Sequence, residues 1–144
     1  MLFPKKVKFR RWQVHRRHSD VLANHRSSRG TEIQFGTHAV KATTQARVTS
    51  KQIESARKVV SRTVGKLGKY WIRIFPDRPM THKPAEVPMG KGKGALDGYC
   101  VEVEPGRIIF EVSNVSDVVA REALRKAGAK LPVKTKIVDK NTII

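Results

Sequence analysis

Positive charge crowds the first 79 residues, where nineteen Lys and Arg stand against only Asp20, Glu32, Glu54 and Asp77. A chain biased in this way repels itself when compact and is relieved when a polyanion neutralises it. Residues 80–144 are closer to balance, with eleven cations and eight acids, so the whole chain of 144 residues carries a formal charge of +18. That length suits one domain, and a hydrophobic content of 39% allows a modest core. No run approaches the roughly 18 apolar residues of a membrane span. The basic segments also lack the apolar helical face of an interfacial anchor, so no membrane partner is expected. The single cysteine, Cys100, rules out a disulfide framework and a paired-cysteine zinc site. The basic opening has no apolar stretch behind it, unlike a secretory leader. Nucleic acid is the partner the charge favours, because each neutralised phosphate releases counterions.

Residues 1–30 have the composition of a basic N-terminal arm. Phe3, Phe9 and Trp12 are interleaved with Lys5, Lys6, Lys8, Arg10 and Arg11, a mixture that grips phosphates while rings stack on bases or riboses. A merely solubilising tail usually avoids large aromatics. Residues 31–144 read as a single α+β domain. Between Thr31 and Val48, the alternation of Ile33 and Phe35, a break at Gly36, and Val40 with Ala42 predict one or two strands. Thr49 and Gln52 make a capping box, and Ile53, Ala56, Val60 and Val64 keep a helical period over about 50–66. Lys51, Arg57, Lys58, Arg62 and Lys66 take the other faces of that helix with only Glu54 against them. This balance favours an RNA-facing surface over a merely solvated one.

Lys69–Phe75 is expected to be a central strand, since Tyr70, Ile72 and Ile74 alternate with Trp71, Arg73 and Phe75. Residues 80–98, rich in Gly and Pro, read as a long functional loop. Tyr99–Val103 and Ile108–Val112 are expected to form a hairpin about Pro105-Gly106, whose Glu102, Glu104 and Glu111 suit it least for facing RNA. A second helix over 117–128, N-capped by Ser116 and closed by Gly128, would bury Ala120, Ala123, Leu124 and Ala127. Val133–Val138 is a last strand. The fold class is α+β, with two helices packed on one face of a mostly antiparallel sheet, a basic arm and a long Gly/Lys loop.

Catalytic chemistry finds no foothold. His15, His18, His25, His38 and His82 have no carboxylate or cysteine at ligand spacing, so no metal and no other cofactor are expected. Asp117 and Glu122 are accounted for by a helix start and a solvated face, and Cys100 by burial in a strand. The strongest local signal is Met89-Gly-Lys-Gly-Lys-Gly94. It lacks the GK[ST] of a P-loop and the GxGxxG spacing. What it offers is backbone free of side-chain bulk beside two ammonium groups, which suits phosphate contact better than a linker role. Composition and motifs alone leave a basic, free-standing RNA- or DNA-binding protein, with an RNA-modifying enzyme behind it for want of an acid–base or cofactor constellation.

The run from Gly68 through Lys69, Tyr70, Trp71, Ile72, Arg73, Ile74, Phe75, Pro76, Asp77 and Arg78 to Pro79, followed by Met89–Gly94, closely resembles the bacterial-type large-ribosomal-subunit protein "L-sixteen" family, of the universal L-sixteen/L-ten-e type. The opening Met1–Arg10, Thr49–Glu54, Ala56-Arg57, Pro105-Gly106, Phe110-Glu111, Glu122–Leu124 and Lys130–Lys136 resemble further blocks of the same family. The resemblance implies a structural constituent of the large subunit that is no enzyme. It implies contact with 23S-type rRNA near the peptidyl-transferase centre, with A-site tRNA (P-site tRNA being left open) and with neighbouring large-subunit proteins. It also implies late entry into the assembling subunit, in a cytoplasmic ribosome or an organellar one. On this reading Lys5, Lys6, Lys8, Arg10, Arg11, Lys51, Arg57, Lys58 and Arg62 bear the rRNA contacts, and Met89, Gly90, Lys91, Gly92, Lys93 and Gly94 face tRNA. The chain departs from the family pattern at Pro88, where an arginine is usual, across residues 12–30, and at Tyr99-Cys100, where a tryptophan is common.

Overall fold

Helix α1 (Ser50–Val64) begins where its capping box closes. The Thr49 hydroxyl accepts from the Gln52 N–H at 3.4 Å, and Gln52 Oε1 accepts from the Thr49 N–H at 2.9 Å, which satisfies two otherwise orphaned amides. Ile53, Ala56, Val60 and Val64 form its buried stripe. The computed structural model describes residues 2–13 and 24–140, so the expectations placed on His15 and His18 lie outside the described residues.

Seven strands form two sheets among the described residues, where one sheet was expected. The larger contains β1 (His38–Ala42), β3 (Lys69–Ile72), β6 (Ile108–Ser113) and β7 (Thr135–Asp139), in the order β3-β6-β1-β7. The smaller contains β2 (Ala46–Thr49), β4 (Arg78–His82) and β5 (Ala95–Val103), in the order β2-β5-β4. Every strand pair is antiparallel. Helix α2 (Asp117–Gly128) packs on α1 and on the larger sheet, and one apolar core draws on both helices and both sheets. The α+β class therefore holds.

Three sequence expectations change. β5 and β6 are not a hairpin: β6 pairs with β1 and β3, and β5 with β2 and β4. Five consecutive residues of β6, Ile108 to Val112, are buried, so it needs a neighbour on each side beneath the helices. β5 buries only Cys100 and Val103. The Pro105-Gly106 turn carries the chain from one sheet to the other, with the Gly106 N–H on the Ala42 carbonyl and the Ala42 N–H on the Arg107 carbonyl, both at 2.8 Å. Second, β3 is an edge strand. Its outer face is apolar because Phe35 stacks on Trp71, with ring centroids 6.0 Å apart. Third, residues 80–82 belong to β4 and 95–98 to β5, so the irregular loop is 83–94. Pro79 fits because β4 is also an edge strand.

Two smaller expectations fail for reasons of packing. Ile33–Thr37 is not a strand. It crosses the larger sheet, where the amides of Gln34, Phe35 and Gly36 donate to the fully buried Glu111 carboxylate, which Arg73 also meets. Gly128 does not end α2 by a left-handed turn. A Cβ there would lie 2.4 Å from Thr135 Oγ1, so glycine lets the helix approach β7. Ser116 occupies the N-cap position in extended backbone but makes no side-chain capping bond.

Candidate nucleic-acid interface

The arm is tied down at both ends of its first described stretch. Leu2 packs against the core. Eleven residues on, the Gln13 carbonyl accepts from the Arg78 guanidinium at 3.2 Å, and that guanidinium lies 5.7 Å from the Trp12 ring centroid. Between these anchors Lys5, Lys6, Lys8, Arg10 and Arg11 are exposed, and none has an acidic partner among the described residues.

Lys93 Nζ donates to the Trp12 carbonyl. Arm and Gly/Lys loop, treated separately in the sequence, therefore meet at one residue. No local pattern marks Trp12 or Arg78 as a joint, since they stand 66 positions apart. Within the loop, Lys83 Nζ donates to the Gly90 carbonyl, and the Val87 N–H to the Pro84 carbonyl at 3.1 Å. Gly90, Lys91 and Gly92 have φ of 100°, 54° and 88°. Three successive left-handed residues turn the tip back sharply, a path glycine follows without strain. A Cβ at Gly90 or Gly92 would meet nothing within 4 Å, so those glycines serve conformation and not close packing. Met89, Lys91 and Pro88 are exposed at this tip.

On α1, Lys51, Lys58 and Arg62 are exposed. Arg57 differs. Its guanidinium holds both Glu54 oxygens, at 3.0 and 2.7 Å, and donates to the Tyr70 hydroxyl at 3.0 Å. The Arg57 hydrogen bond holds the Glu54 carboxyl below its usual range and lowers the Tyr70 hydroxyl, while Arg57 itself is raised. Arg57 thus joins α1 to β3 and is not a free cation.

Acids near the strands have basic side chains beside them. Glu102 lies 3.1 Å from Arg47 and 3.4 Å from Arg78, and Glu104 lies 3.0 Å from His25 Nδ1. The fold also gathers carboxylates around a histidine, which the sequence spacing did not foretell. His38 Nε2 is 2.6 Å from Asp117 and 3.5 Å from Asp139. Among the described residues these three could hold a cation, but the Arg121 guanidinium bridges both carboxylates and supplies the positive charge itself. Hydrogen bonding to His38, then to Arg121, keeps Asp117 below its usual range. Cys100 is buried, and desolvation pushes its thiol up, away from nucleophilic use.

Internal acids that are paired off and exposed cations that are not define a basic structural protein built to lie against a polyanion. Residues 4–138 match the family described as Ribosomal protein L16p/L10e. The chain is 47% identical over 143 residues to the large ribosomal subunit protein uL16 of Halorhodospira halophila, covering 99% of this chain and 100% of that one. It is 50% identical over 138 residues to the protein of the same name from Caulobacter vibrioides, covering 96% and 92%. The chain belongs to the L16p/L10e family of ribosomal proteins, and so is a structural, non-enzymatic constituent of the large ribosomal subunit whose partners are rRNA and other ribosomal components.

Proposed function

We propose that the chain grips large-subunit rRNA through Lys5, Lys6, Lys8, Arg10, Arg11, Lys51, Lys58 and Arg62, and presents the 89–94 loop to A-site tRNA near the peptidyl-transferase centre. The observation that carries this reading is the division of labour between two lysines of the loop. Lys93 is bonded to the arm at Trp12, whereas Lys91 stands exposed at the tip with no partner among the described residues. A phosphate approaching the tip would meet one ammonium group and uncrowded backbone. Its charge-assisted contact with Lys91 would be about twice as strong as a neutral hydrogen bond. The protein's role is electrostatic and steric positioning, with no bond made or broken.

The test uses large subunits carrying Lys91→Ala. The protein per particle should be unchanged, because one cation of thirty contributes little to docking, while A-site tRNA affinity should fall several-fold. Full incorporation with unaltered tRNA binding would reduce the loop to a connector.

A further inference from the structure

A groove lined by no residue of the arm stretch 2–13, α1 or the 83–94 loop takes no part in the function above. Its roof is the segment 26–33, which is fixed in place at both ends. The Ser27 N–H donates to the Pro105 carbonyl and the Ile108 N–H to the Gly30 carbonyl, both at 2.9 Å. At the other end the amides of residues 34–36 hold Glu111. Between this roof and the β1–β7 pair lies a cavity of about 890 Å³.

Lys41 and Lys136 line it and are direct cross-strand partners. Their strand neighbours Val40 and Ile137 pack into the core under the helices, so the two lysines point to the opposite face. Residues opposed in this way have Cβ atoms about 4.5–5.5 Å apart, and like charges there destabilise the pairing. Neither lysine has an acidic partner among the described residues, and Lys41 is half-buried. Arg26 adds a third cation from the roof, and Ser27 and Thr31 bring hydroxyls to the same space. Of the two acids at the rim, Asp139 is already held by Arg121, which leaves Glu32 against three cations.

We propose that this groove is a second seat for the rRNA backbone, with a phosphodiester lying between Lys41 and Lys136 and within reach of Arg26. The inference rests on the reading of the chain as an rRNA-binding component, and it adds a surface that neither the arm, α1 nor the loop supplies. A pre-formed cleft with two facing ammonium groups suits a phosphate, whose charge relieves the repulsion between them. RNA is favoured over free phosphate because the protein already works against a polyanion.

The experiment measures affinity for a large-subunit rRNA fragment as a function of salt, together with the melting temperature of the free protein. In Lys136→Glu the facing like charges become an opposite pair. The free protein should melt higher while rRNA binding weakens, two signs that a purely structural role would not separate. In the double variant Lys41→Ala/Lys136→Ala, the slope of log affinity against log salt should become shallower by about 0.7–0.9, the loss of the one phosphate held between the two lysines. A steep wild-type slope shared by both variants would overturn the groove alone. A flat wild-type slope would overturn the RNA-binding reading and the groove with it. If millimolar inorganic phosphate raises the melting temperature of the wild type but not of the double variant, while their rRNA slopes coincide, the site takes free phosphate and the proposal fails.

Discussion

Arg57 and Lys58 are adjacent on one helix, yet the fold puts them to opposite uses. Arg57 binds Glu54 through both oxygens and reaches the Tyr70 hydroxyl, while Lys58 is exposed to solvent. Arg57→Ala should therefore lower stability by about 1 kcal/mol, a value at the upper end for an ion pair that is only partly buried, with little change in rRNA affinity. Lys58→Ala should leave urea unfolding unmoved and reduce the salt slope of rRNA binding by about 0.7–0.9, one phosphate contact. Equal effects of the two variants on binding would show that the Arg57 pairing opens on RNA. Counting charges along the helix finds five cations and one acid. It cannot tell which cation the acid holds, because that depends on the i, i+3 geometry and on a tyrosine thirteen residues away.

Whole elements show the same boundary between what is local and what is not. The capping box of α1, its buried stripe and the start of β3 at Lys69 were legible because each depends on neighbours within a few residues, whereas β3 ends at Ile72 and not at Phe75. The apparent hairpin at Pro105-Gly106 was misread because a turn and two alternating runs look alike whether the strands pair with each other or with distant partners. The candidate loop was legible as Gly/Lys chemistry, while its attachment to the arm was not, since Lys93 and Trp12 are 81 residues apart. That attachment makes the arm a support for the loop. Trp12→Ala removes the ring that Arg78 lies over and loosens the carbonyl that Lys93 holds. Hydrogen exchange across 83–94 should speed up several-fold, with the global urea midpoint unchanged because Trp12 is exposed and outside the core. If exchange in the loop does not change, the arm is not its support.

At the scale of the whole molecule, the charge of +18 makes salt act with opposite signs on two properties. Raising salt from about 50 to 200 mM should raise the melting temperature of the free protein by screening self-repulsion and weaken rRNA binding over the same range. A melting temperature that falls with salt would mean that ion pairs outweigh net repulsion. Acid works the other way. Arg57 depresses Glu54, His38 and Arg121 depress Asp117, and Lys126 depresses Glu122. Carboxyls lowered in the folded state stabilise it above their unfolded values of 4.5, 3.8 and 4.5, and that contribution is lost as pH falls through the lower folded ones. Each proton also adds to a charge that is already excessive, so thermal melts should hold from neutrality down to about pH 4.5 and drop steeply below it. The pairing of β1 with β7 has a consequence in time. The two strands are nearly a hundred residues apart, so β1 emerges from synthesis long before its partner exists. Until residues 135–139 are made, one side of β1 stays open, behind the cationic arm that precedes it. Non-local closure of this kind is slow, and the protein spends its youngest moments as an unfinished sheet that any nearby polyanion can reach before folding is complete.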